Sequence, residues 1–270
     1  MKKTELNRFL PFEADYTLLG KCRLWGTREL ATIGACSIIL PLLDHYSSVG
    51  IVNNIYTILN YIYFLLIVSY YILDIYTETF LYPATARKRR KGFIDNSLGS
   101  KFLNNNVEGY YTNDNLKYGP YKMLVNCCEN CFFTLNIAKG MVAQILVKNI
   151  LLFIGFLTLA YFGIRDSLIA IPIIQILLST LFLTELIHHI NFITKLDQLY
   201  ERFIEVITKK MDSDETLQEA VLLFLDYETT LAYNKAPLSD SVYEKLNEKL
   251  TEEWEKIKKR YDISEKEIYS

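Results

Sequence analysis

Apolar and polar positions along this chain fall into long blocks. Four apolar blocks stand out: Leu30 to Tyr46, Ile51 to Leu73, a run from about Met141 to Ile164, and Leu168 to Ile190. At about 1.5 Å per helical residue, the 23 residues of Leu168 to Ile190 cover the roughly 30 Å of hydrocarbon in a bilayer. Only Arg165, Asp166 and Ser167 separate the third and fourth blocks, so these two form an antiparallel helical hairpin. The first block is the shortest: its continuous apolar core ends at Leu43, and Pro41 can kink it.

Between and after the blocks the period becomes helical. Tyr121, Leu124, Cys128, Phe132, Leu135 and Lys139 trace a stripe that merges into the third block. Leu196, Leu199, Phe203, Val206 and Ile207 recur at three and four residues, a seam that buries against another helix. Since the stripe continues directly from the fourth block, self-association below the membrane is the economical reading, and packing against residues 92–140 of the same chain would look the same. Asp212-Ser213-Asp214 offers an N-cap for a helix over Leu217 to Tyr233, and Asn234 to Ser239, with Pro237, breaks it. The last helix carries Tyr243, Leu246, Leu250, Trp254, Ile257 and Tyr261 on one face, which must dock. The stretch from Gly92 to Pro120 is dense in Gly, Asn and Asp, yet holds Phe93, Ile94, Leu98, Phe102 and Leu103, so it is expected to be ordered.

The fold class that follows is all-α: a polytopic membrane protein with four transmembrane helices and a helical cytoplasmic domain. Its expected parts are a cytoplasmic amphipathic N-terminus (1–28), transmembrane helices 1 and 2 (29–81), a cytoplasmic subdomain (82–148), a transmembrane hairpin 3 and 4 (149–191) and a cytoplasmic helical C-terminal region (192–270). Charge placement supplies the orientation. Of 29 Lys and Arg, 28 lie in 1–28, 87–148 and 195–270, and basic loops stay inside. Four spans with both termini cytoplasmic meet that condition, whereas the net charge of -2 decides nothing. A cleaved signal peptide is not expected, because the first apolar run begins only near Leu30. Cys22, Cys36, Cys127, Cys128 and Cys131 read as reduced thiols; one CxxC without a matching pair does not make a structural zinc site.

Candidate chemistry is concentrated in two places. Arg87-Lys88-Arg89-Arg90-Lys91, just inside the second span, sets topology and meets lipid headgroups, or binds a phosphate-bearing ligand or nucleic acid. Polar residues inside the spans form the second. Asn60 lies among Tyr56, Tyr61, Tyr63, Tyr70 and Tyr71, and Asp74 and Glu78 follow one turn below. Gln175 and Ser179 share a face of the fourth span, and Glu185 shares one with His188 and His189. Such residues are costly against lipid and mark either interhelical hydrogen bonds or a wet pore lining. A metal on Glu185, His188 and His189 lacks a second cluster. No phosphate loop, HExxH, GxSxG or kinase signature occurs, and no catalytic residue or cofactor is expected.

Two spans, a basic stretch followed by Phe93-Ile94-Asp95-Asn96, an aromatic turn at Gly109-Tyr110-Tyr111, a tight second hairpin and the segment LAYNKAPLSDSVYEKLNE before Trp254 together resemble a known family. It is that of the bacterial four-transmembrane pore-forming effectors encoded beside nucleotidyltransferases in anti-phage operons of the CBASS and Hailong kinds. The resemblance implies a homo-oligomeric channel, with a tetramer as the candidate assembly, in the inner membrane. A nucleotide or oligonucleotide from the partner nucleotidyltransferase would gate it, and opening would depolarise the infected cell and arrest growth. On that reading Arg87 to Lys91 hold the ligand, and Asn60, Gln175, Ser179 and Glu185 line the pore. A non-conducting membrane sensor or scaffold and a membrane metalloenzyme are the alternatives.

Overall fold

The computed structural model describes residues 9–45, 50–105, 107, 109–162, 182–209, 212–234 and 239–263. These residues are almost entirely helical, with no β-strand among them. The helices are α1 (Glu13–His45), α2 (Gly50–Ile75), α3 (Tyr82–Leu98), α4 (Pro120–Phe162), α5 (Phe182–Thr208), α6 (Ser213–Asn234) and α7 (Asp240–Arg260). The chain divides into two compact units. One comprises Phe12–Arg89 and Lys148–Phe182, the other Met1–Pro11, Arg90–Val147 and Leu183–Ser270.

In the first unit α1 and α2 form an antiparallel hairpin. The helix expected only from Leu30 already begins at Glu13, with Glu13 and Asp15 in its first turn, where acidic side chains favour the positive end of the helix dipole. It runs through Pro41 to His45. The half-covered positions of α2 are Val52, Tyr56, Leu59, Asn60, Tyr63, Leu66, Ile67, Tyr70 and Leu73, a spacing of three and four that marks one packed seam. Three of the five tyrosines fall on that seam, while Tyr61 and Tyr71 point outward. No residue of α2 is buried.

Pro83 does not bend the chain away as its position allows. A π-helical turn, Tyr76–Leu81, joins α2 to α3 instead, with the Tyr82 N–H donating to the Thr77 carbonyl. Such a turn widens the helix by one residue and absorbs the hydrogen bond and the space that a proline denies. The basic run therefore lies on a continuing helix. Three described helices, Glu13–Asp44, Gly50–Leu98 and Pro120–Leu151, are long and apolar enough to cross a membrane. Residues 168–181 of the fourth apolar block and the Arg165-Asp166-Ser167 turn lie outside the described residues.

The second unit has a conventional core. The first half of α4 buries Leu124, Val125, Cys127, Cys128, Cys131, Leu135 and Ala138. Against it packs α5, with Phe192, Leu196, Phe203, Val206 and Ile207 buried; the Phe132 and Tyr200 rings lie 5.7 Å apart, and Cys131 Sγ donates to the Leu196 carbonyl. The heptad seam is thus filled within the chain. Asp212 caps α6, its Oδ1 accepting from the Glu215 N–H at 2.8 Å. The stripe on α7 docks as expected: Leu250 and Trp254 are buried, Trp254 lies 5.9 Å from Phe132, and Gly140 of α4 admits Val242 so closely that a Cβ there would meet it at 2.8 Å.

In the Gly92 to Pro120 stretch, Asp95 holds residues 100–103. Its carboxylate accepts from Ser100 Oγ at 2.7 Å and from the Phe102 and Leu103 N–H groups at 2.8 Å, so the chain turns sharply after α3. Gly99 takes φ of 71° in that turn, and a Cβ there would lie 3.0 Å from the Tyr118 ring. Phe93 stacks on Phe224 at 4.8 Å and meets Tyr111 edge-on.

Candidate functional site

The α1–α2 hairpin presents apolar side chains outward: Leu24, Trp25, Leu30 and Ile39 on α1, and Ile51, Ile55, Ile58, Phe64, Leu65 and Ile72 on α2 are exposed. Polar pairs join α1 to α2, the π-helical turn and α3 along one line, half-covered at Arg23 and Glu78 and exposed at Ser69 and Lys88. Lys88 Nζ pairs with Asp15 at 2.5 Å, Arg23 binds Glu78 through Nη2 at 2.9 Å and Nε at 3.0 Å, and Ser69 Oγ donates to Glu29 Oε1 at 2.9 Å. The Arg23 guanidinium also lies 5.2 Å over the Tyr82 ring. Glu29 Oε2 is buried with no hydrogen-bond partner among the described residues, and so is the Thr77 hydroxyl beside the π-helical turn. A carboxylate oxygen and a hydroxyl left this way cost on the order of 1–3 kcal/mol each, a cost that marks sites of function more often than of stability.

Sequence reasoning missed this line because each half of it looks ordinary alone. Arg23 and Glu29 lie about two turns apart, the first in the stretch read as an amphipathic N-terminus and the second at the start of the first span. Only the antiparallel register, which sets 15 against 88, 23 against 78 and 29 against 69, brings opposite chemistry together. Among the residues singled out beforehand, Glu78 joins the line and Asp74 is exposed.

The five bases of α3 part around the helix. Arg87, Lys88 and Lys91 are exposed, and Arg89 and Arg90 are half-buried. Lys88 is engaged by Asp15, and Arg90 Nη1 lies 3.6 Å from Glu228 Oε2. Arg87 and Lys91, one turn apart, make no ion pair among the described residues. Five contiguous charges on a helix therefore do not act as one patch, because successive side chains point about 100° apart.

Asn60 donates through Nδ2 to the Tyr56 carbonyl of its own helix at 3.1 Å. Glu185 is exposed in the first turn of α5, in the other unit. Gln175 and Ser179 lie outside the described residues. His188 is exposed, whereas His189 is buried with Nε2 2.8 Å from the Ala138 carbonyl, which fixes the proton on that nitrogen. Glu185, His188 and His189 do not converge, and no three such groups among the described residues could hold a metal. Burial raises the thiol pKa of Cys128 well above its ordinary value, then the neighbouring Cys131 and Glu129; burial likewise raises that of Cys131. These thiols are inert packing groups.

One polar cluster had no place in the sequence reading. Asn126 Nδ2 donates to Asn96 Oδ1 at 3.0 Å and to Ser97 Oγ at 3.1 Å, and its Oδ1 accepts from Asn113 at 3.0 Å. Asn113 also donates to Glu129 Oε2 at 2.7 Å, and Thr112 Oγ1 to Glu129 Oε1 at 3.0 Å. Burial pushes the Glu129 carboxyl up to about 7, against the Thr112 and Asn113 hydrogen bonds and the charge of Lys258. The cluster ties the end of α3 and the aromatic turn to α4. The signal for it was Asn126, Glu129 and Asn130 at three and four residues along a helix otherwise read by its apolar stripe. No protein-family model, no curated protein and no solved structure matches this chain.

Proposed function

We propose that this protein is a pore-forming membrane effector of a bacterial anti-phage defence system. It works as a homo-oligomer in the inner membrane, with four spans and both termini cytoplasmic, and a nucleotide or oligonucleotide made by a partner nucleotidyltransferase gates it. The observation that carries the reading is the α1–α2 hairpin: α2 has no buried residue, yet α1 sets Glu29 against Ser69 of α2, Arg23 against Glu78 of the π-helical turn and Asp15 against Lys88 of α3. An apolar exterior needs lipid or further copies of the chain, and an ionisable line inside it is the material of an ion path. The short motifs of the α3 end and the aromatic turn supply the resemblance to the effector family.

Gating requires the ligand to hold one state of the pore more tightly than the other. The basic run on α3 continues the helix of the second span through the π-helical turn, so an anion bound there pulls directly on a membrane helix. Arg87 and Lys91 are the exposed members that a phosphate would meet. The test is ion flux from vesicles reconstituted with the purified chain, with and without cyclic and linear oligonucleotides. Nucleotide-dependent flux that Arg87→Gln with Lys91→Gln shifts at least tenfold in ligand concentration supports the proposal. Vesicles that stay ion-tight with every nucleotide tried overturn the channel; an unshifted response overturns the ligand site alone.

A further inference from the structure

On α6 the residues turned away from the core are Asp214, Leu217, Gln218, Val221, Leu222, Leu225, Asp226, Thr229, Ala232 and Tyr233, all exposed. From Leu217 to Tyr233 the centre of this face has no charge; Asp226 sits at its edge by helical position. Leu217, Val221, Leu225, Thr229 and Tyr233 form one i, i+4 ridge, with Leu225 55% exposed at its middle. A water-facing helix normally carries charge there, so a run of this size marks a surface that something covers.

The two ends of the face identify the occupant. The N-terminal end is acidic, with Asp214 and Glu215 exposed in the first turn. The C-terminal end is basic, because Lys195 of α5 holds its Nζ 5.4 Å over the Tyr233 ring. We infer that this α6 face is a contact between two copies of the chain, paired antiparallel about a two-fold axis near residues 223–224. That axis sets Leu222 against Leu225, Gln218 against Thr229, and Asp214 against Tyr233 and Lys195 of the copy. A charge on a two-fold axis would oppose itself, and here the middle is neutral and opposite charges meet at both ends. A lipid surface fits less well, since an interfacial helix surrounds its apolar face with cations and this one begins with carboxylates. The strip is about 30 Å long and covers on the order of 1,000 Å² with its copy, the lower end of a specific interface. The inference rests on the proposed self-association and relocates it, because the α5 seam expected to gather the copies is filled inside the chain.

The test is the copy number of the full chain in detergent micelles, by analytical ultracentrifugation over a range of concentrations, with thermal unfolding as the control for folding. Leu225→Glu is expected to weaken association at least tenfold at an unchanged melting temperature. Asp214→Lys and Lys195→Glu each weaken it, and the double variant returns to within about threefold of the parent. Such rescue requires the two positions to meet across copies. If the parent is multimeric and Leu225→Glu assembles equally well, or the double variant is no better than the worse single one, the face is not the contact and the oligomer reading stands. If the parent is a single copy at every concentration, both fall.

Discussion

Phe64 and Phe203 are the same side chain in opposite circumstances: the first is 63% exposed on α2, the second 0% exposed in α5. The difference runs through each unit. In the unit built on α4, α5, α6 and α7, apolar side chains fill the middle and pairs such as Lys139–Asp197 and Arg202–Glu219 lie at the surface. In the hairpin unit, apolar side chains are outside and Arg23, Glu29 and Glu78 are half-covered between the helices. One set of physical rules yields both arrangements once the solvent is exchanged, since a group faces whichever medium it costs least to meet. The unit with the water-type arrangement gains stability from burying Phe203, and the other gains little from Phe64 inside its own chain. Phe203→Ala is therefore expected to cost about 3–5 kcal/mol, and Phe64→Ala under about 1 kcal/mol in detergent. Thermal unfolding in micelles reads both; equal losses would break the contrast.

Buried polar groups sharpen it next. Between pH 4.5 and about 7 the folded chain keeps a proton on Glu129 that the unfolded chain has released. Its folded pKa is raised, so the folded state is favoured below this window and loses stability as pH rises through it, by roughly 3 kcal/mol at most. Glu129→Gln removes the titration while an amide oxygen still accepts from Thr112. The variant should melt well above the parent at pH 8 and no higher at pH 5. A parent whose melting temperature does not fall between pH 5 and 8 would mean that Lys258, which holds Thr112 through its carbonyl at 3.0 Å, neutralises the carboxylate fully.

Much of this was legible along the chain, and the failures have physical causes. The apolar blocks, the α7 stripe and the Asp212 cap are local patterns, and period and capping chemistry report them directly. Pro83 permits a bend where the second span's helix ends; the π-helical turn that carries the helix past it is an option that no single residue announces. The α5 seam was assigned to a second copy because it continues from a span, but the same spacing serves residues of its own chain, and there it is buried. Glu29 with Ser69, and Asn126 with Glu129 and Asn113, depend on register between distant segments. Gln175 and Ser179, read as pore-lining, lie outside the described residues.

Glycines offer a smaller contrast. Gly140 lets α7 approach α4, whereas a Cβ on Gly20 of α1 meets nothing within 4 Å. Gly140→Val is expected to cost about 1–3 kcal/mol by overpacking Val242 and Leu246, and Gly20→Ala to stabilise by up to about 1 kcal/mol through helix propensity. Melting temperatures moving in opposite directions are the expected result. A destabilising Gly20→Ala would mean that a further surface lies against that part of α1.

The smallest effect separates the two media most directly. Arg23 and Glu78 pair at 2.9 Å with side chains 24% and 25% exposed, whereas Lys249 and Glu253 on α7 are 3.6 Å apart and 73% and 39% exposed. A pair in water is worth at most a few tenths of a kcal/mol and is screened by salt. A pair about three-quarters covered between two helices is less open to that screening, and its coupling is expected near about 0.6 kcal/mol, rising toward 2 in favourable cases. Double-mutant cycles in lipid nanodiscs, at low salt and at about 1 M where the screening length is about 3 Å, should find the Lys249–Glu253 coupling abolished and the Arg23–Glu78 coupling retained. Loss of both at high salt would place water beside Arg23, and the seam would then be wet before any ligand opens it.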